Sequence, residues 1–147
     1  MLDQDDVWPP TALRHHIEAR QQHPNADATW GSQQLFLEPG ASCPSWLRPH
    51  FLEHPTRGTF FSGFLARREV FERVGPLDES YLMGSDTDWF ARAQEAQLNT
   101  IHLPEVTLLK RVHSENHSAQ VETAHLDLTR ALHASLQRRR AQTPNSR

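Results

Sequence analysis

The sequence predicts an α/β or α+β fold, and three observations carry that prediction. Short apolar runs that suit strands alternate with segments whose apolar residues recur at helical spacing. A length of 147 residues encloses a core without disulfide or metal staples. Neither GxGxxG nor GxxxxGK occurs, so the alternation belongs to neither a Rossmann dinucleotide site nor a P-loop.

The elements follow in order. Pro9–Pro10 suit a helix start, and residues 11–23 place Leu13 and Ile17 four apart, predicting a short amphipathic helix stopped at Pro24–Asn25. Residues 27–37 (DATWGSQQLFL) read as a strand with a weak spot at Gly31. Residues 38–57 contain Pro39, Gly40, Pro44, Pro49 and Pro55, which predicts a long irregular loop of the kind that often forms a lid or binding loop. The phenylalanine-rich run 59–66 (TFFSGFLA) predicts a buried strand. Residues 67–75 predict a helix with Val70, Phe71 and Val74 on one face, ended by Gly75–Pro76. A second helix is expected over 84–96, with Ser85 as its cap and Asp88 three residues later. Residues 98–103 and 106–112 are two strand candidates around Pro104–Glu105. A final helix over about 120–141 carries Val121, Leu128, Leu132 and Leu136, and residues 142–147 read as a disordered tail.

Composition excludes several classes. A formal charge of −3 and an isoelectric point near 6.3 give no nucleic-acid signature. The basic run Arg138–Arg139–Arg140 reads as a solvated helix end whose cations complement the macrodipole. No apolar run approaches the roughly 18 residues of a membrane span, and the acidic start does not read as a signal peptide. The lone Cys43 has no internal disulfide partner and reads as an ordinary loop thiol. A soluble, cytoplasmic protein is the expectation. Ten histidines raise a zinc reading, but they look scattered, and most are taken as surface residues.

Three constellations bear chemistry. Asp3-Gln4-Asp5-Asp6 is a charged terminus or, if Met1–Leu2 end a strand, a DxD whose hard oxygens select Mg²⁺ or Mn²⁺ on a diphosphate. Gly84-Ser85-Asp86-Thr87-Asp88 is a set of first-turn carboxylates or holds a general base for a sugar hydroxyl. Lys110-Arg111-Val112-His113, followed by Glu115-Asn116-His117-Ser118, is a solvated loop or a clamp for phosphate and metal.

In order and spacing, three stretches resemble the C-terminal half of the family 2 glycosyltransferases. LDQDDVWPPTALRHHIEARQQHPNADATWG looks like the DxD strand, following helix and next strand; FLARREVFERVGPLDESYLMGSDTDWFARAQEAQ looks like the passage into an acidic helix start; LPEVTLLKRVHSENHS looks like the closing strand with an R-x-H ending. The resemblance runs from residue 2 to about 118. It implies a partial GT-A three-layer α/β fold over residues 1–141, lacking the N-terminal nucleoside-binding strands. It also implies inverting sugar transfer from a nucleotide-diphosphate sugar to an acceptor hydroxyl. By the same resemblance Asp5 and Asp3 would hold Mg²⁺ or Mn²⁺. His113 and Arg111 would reach the metal or diphosphate, Asp86 would be the base, and Trp89 would line an acceptor pocket or pack in the core. Ser85 departs from the acidic residue usual before the base. A second expectation is therefore a non-catalytic binding or assembly module. Either way the absent strands point to a homo-oligomer or to a partner chain that supplies them.

Overall fold

The computed structural model describes residues 2–81, 83–113, 116 and 121–142, with backbone alone for 121–125 and 142. Among the described residues it is an α/β chain with a mixed three-stranded sheet and five α-helices, and it divides into two compact units.

The first unit comprises residues 1–67 and 99–119. It holds α1 (Ala12–Gln22), β1 (Ala28–Leu37), the short α2 (His50–Glu53), a 3-10 turn at Phe61–Gly63, β2 (Phe64–Ala66) and β3 (Thr100–Val112). The sheet order is β2-β1-β3, with β1 antiparallel to β2 and parallel to β3. Register places Phe64, Trp30 and His102 side by side in one row. The Trp30 ring lies 5.2 Å from Phe64 and 6.1 Å from His102, the cross-strand contact that stabilises sheets.

Three expectations about this unit change. The face that α1 buries is Ala12, His16 and Ala19, whereas Leu13 and Ile17 are exposed. Small alanines let the helix approach the sheet closely, and His16 is admitted because its Nδ1 meets Thr29 Oγ1 at 2.7 Å. The two strand candidates around Pro104 are one strand, β3. Its pairing with β1 slips between Trp30 and Ser32 and again between Ser32 and Gln33, so residues 103–105 bulge opposite Gly31. Pro104 lies in that bulge on an edge strand, where its missing N–H costs no ladder bond. Gly31 is required there, since a Cβ would overlap the fully buried Thr107 side chain. The phenylalanine run is part 3-10 turn and part strand.

The second unit comprises residues 68–98 and 120–147 and contains α3 (Arg68–Val74), α4 (Ser85–Glu95) and α5 (Val121–Gln142). Gly75 ends α3 at φ +88°, with its N–H on Phe71 O at 2.9 Å. Gly84, at φ +84°, occupies the cap position of α4, so Ser85 is the first helical residue and not the cap. Apolar Leu128, Leu132 and Leu136 of α5 are exposed, while Ala131 and Ser135 are buried. The expected tail begins at the last described residue, 142; residues 143–147 lie outside the described set. No described helix is long and apolar enough to cross a membrane.

Candidate functional site

The N-terminal aspartates do not end a strand. Asp3 to Asp6 form a turn closed by Asp6 N–H on Asp3 O at 3.2 Å, and Met1 lies outside the described residues. The next residue, Val7, pairs antiparallel with Leu109 of β3 through two backbone bonds of 2.9 and 2.8 Å. Trp8 secures the segment further by donating to Ser62 O at 2.5 Å. This docking is what carries the acidic turn to the C-terminal end of β3.

The turn gives its three carboxylates different surroundings. Asp3 is exposed. Asp6 is buried, accepts the Arg111 N–H at 3.1 Å and lies 3.6 Å from Lys110 Nζ. Desolvation raises its pKa despite the nearby lysine. Asp5 is half-buried, and its Oδ2 lies 2.9 Å from His113 Nε2 and 3.4 Å from Asn116 Nδ2. The hydrogen bond with His113 outweighs desolvation and holds the Asp5 carboxyl below the ordinary carboxylate range.

Asn116 braces both His113 and Arg111. Its Oδ1 accepts the His113 N–H at 2.7 Å, and its Nδ2 donates to Arg111 O at 3.2 Å. Arg111 lies directly across from Phe36 in the β1–β3 register, and its guanidinium stacks over that ring at 5.3 Å. It donates to Asp5 O through Nε at 3.0 Å and ion-pairs with Glu38, just past the end of β1. Asp5, His113 and Arg111 are thus brought together, while Asp3 stands exposed in the same turn. Glu38, Asn116 and Lys110 complete the cluster. Asn116 and Lys110 stand inside the motif, but nothing in the spacing marks Glu38, which arrives through strand register.

Of these groups, the Asp5 carboxylate is the donor type that a hard divalent ion takes. Mg²⁺ and Mn²⁺ take one or two protein carboxylates and leave other positions to water and phosphate oxygens. Asp5 offers one such carboxylate, half-buried and hydrogen-bonded to the His113 imidazole at 2.9 Å.

The remaining sequence candidates lie in the second unit. Asp86 stands half-buried in the first turn of α4, its Oδ1 oriented by the Thr87 N–H at 2.7 Å. Trp89 is 0% exposed, packs 5.2 Å from Phe71 and 5.4 Å from Phe90, and donates to Gly75 O at 2.8 Å. It fills the core and does not line an acceptor pocket. Asp88 stands in the first turn of α4, as expected, but does more than complement the helix end. It is buried between Arg92, at 2.8 Å, and Arg138, at 3.2 Å. Arg138 also binds Glu95 at 2.7 Å, and Ser135 donates to Glu95 at 2.7 Å. The basic run is therefore not a wholly solvated helix end, because Arg138 faces a carboxylate pair that α4 presents at positions 88 and 95.

The scattered-histidine reading also needs correction. His50 and His54, four apart in HFLEH, gather with Glu53 so that their ligand atoms lie within 4.8 Å of one another. No protein-family model matches the chain, and no curated protein matches its sequence.

Proposed function

We propose that the chain is a glycosyltransferase-like protein of partial GT-A type that binds the diphosphate of a nucleotide sugar with Mg²⁺ or Mn²⁺. The single observation that supports this reading most is the 2.9 Å approach of Asp5 to His113, two motif residues 108 positions apart. In the proposed role Asp5 and His113 hold the ion, Asp3 adds a further carboxylate when phosphate is present, and Arg111 turns from Glu38 to the diphosphate. The ion, when bound, would neutralise charge on the departing diphosphate. In the transfer, the acceptor oxygen bonds the anomeric carbon as the carbon–diphosphate bond breaks with inversion. The diphosphate leaves with the electron pair, and a general base takes the hydroxyl proton. Calorimetry with UDP- and GDP-sugars plus Mn²⁺ tests this: saturable binding that Asp5→Ala abolishes is the expected result, and no binding by the intact chain rejects it.

A second reading rests on a specific observation: the cations of the cluster already have carboxylate partners within the chain, Lys110 with Asp6 and Arg111 with Glu38. On this reading the cluster fastens the N-terminal segment to β3, and the protein is a non-catalytic binding or assembly module. β3 is an edge strand whose outer side, among the described residues, pairs only with Val7 at Leu109. Such an edge invites another strand from a second copy or a partner chain. Light scattering then shows an oligomer that Asp5→Ala leaves intact; a monomer at every concentration contradicts it.

A further inference from the structure

The proline-rich loop 38–57 is tied to β1 at two places. Gln34 Nε2 donates to Leu52 O at 2.8 Å, and Thr56 exchanges backbone hydrogen bonds of 2.9 and 2.8 Å with Gln33. A side-chain bond of 3.2 Å from Gln33 to Thr56 reinforces the second tie. His50, Glu53 and His54 lie within and beside this anchored stretch. The single helical turn of α2 sets His50 and Glu53 three apart on one face. The chain then turns extended at His54, φ −129° and ψ 136°, which brings that ring beside His50 with centroids 4.8 Å apart.

We propose that His50, Glu53 and His54 form a second metal site, specific for a borderline transition-metal cation such as Zn²⁺. Two imidazoles and one carboxylate are the N₂O donor set that Zn²⁺ favours and that Mg²⁺ does not. With metal–ligand bonds of about 2.0–2.1 Å, a tetrahedral ion spaces its donors about 3.3 Å apart. The present donors, all within 4.8 Å, reach that spacing by side-chain rotation, and all three residues are exposed, so no packing opposes it. Three protein ligands leave a fourth position for water or a ligand atom. Occupancy would cross-link the two ends of the His50–His54 turn and stiffen the loop. This site shares no residue with the Asp5–His113 cluster and offers two imidazoles and a carboxylate where that one has a single imidazole beside a carboxylate.

The test titrates metal-stripped full-length protein with Zn²⁺ alone, in excess Mg²⁺, by calorimetry and by NMR of the histidine rings. One equivalent is expected to bind first at His50 and His54, whose ring signals shift together. His50→Ala and His54→Ala should each weaken Zn²⁺ affinity by at least about tenfold, and Glu53→Gln should weaken it without altering far-UV dichroism. His113→Ala should leave it unchanged. Variants that keep wild-type affinity, a first equivalent that shifts other histidines, or no binding at all would each overturn the proposal.

Discussion

Asp5 and Asp88 are both aspartates beside basic side chains, yet they belong to clusters of different kinds. The Asp88 side chain is 4% exposed, and its two oxygens meet two guanidiniums at 2.8 and 3.2 Å. The Asp5 side chain is 32% exposed, and its Oδ2 meets an imidazole and an amide. A carboxylate enclosed with arginines belongs to the fold, because removing either partner strands a buried charge. A carboxylate that is half open beside an imidazole can exchange that contact for a cation at small structural cost. The acidic turn repeats the contrast internally, with Asp3 exposed, Asp5 half-buried and Asp6 buried. Local density of acidic residues thus says little about role, and burial together with partner chemistry says much.

Substitutions break or sharpen this contrast. The largest effect is expected from Asp88→Ala, which leaves Arg92 and Arg138 facing an empty place and costs about 3–5 kcal/mol in urea unfolding. A loss below about 1 kcal/mol would put Asp88 in the same class as Asp5. Next comes pH. Burial holds His16, 1% exposed, at a pKa of about 4, below the ordinary 6.5, so the folded state takes up its proton later than the unfolded chain as acid is added. Its contribution is therefore complete above about pH 6.5 and is lost as pH falls toward 4, on the order of 3 kcal/mol, visible in melts between these limits. His16→Asn should flatten that dependence. Gly31→Ala should cost about 1–3 kcal/mol by driving a methyl group into Thr107. The smallest stability effect belongs to Asp5→Asn, under about 1 kcal/mol, which thermal denaturation checks.

Much of this molecule was legible from its residues. Alternating apolar runs located β1, α3, α4 and α5 closely, since local spacing decides each of them. What escaped depended on contacts remote in sequence. Leu13 and Ile17 read as the inner face of α1, but the alanines and the Thr29 hydroxyl beneath His16 chose the other side. Pro104 read as a break because the bulge opposite Gly31 exists only once β1 and β3 pair. At the candidate site, Asp5, Arg111 and His113 were visible as motif residues, whereas Glu38 enters only through the Phe36–Arg111 register. Asn116 read as part of a solvated loop, and it bonds the backbone of His113 and Arg111. The His50 and His54 pair did carry a readable signal, the four-residue spacing with Glu53 between them.

The most direct test of the Asp5–His113 assignment adds Mn²⁺ and UDP to isotopically labelled protein and follows paramagnetic broadening. The His113 ring and the Asn116 amide should broaden together at low Mn²⁺, and Asp5→Asn should abolish this while leaving the melting temperature nearly unchanged. If His113 and Asn116 stay sharp at saturating Mn²⁺ and UDP, or broaden equally in Asp5→Asn, Asp5 is a fastening residue and not a metal ligand.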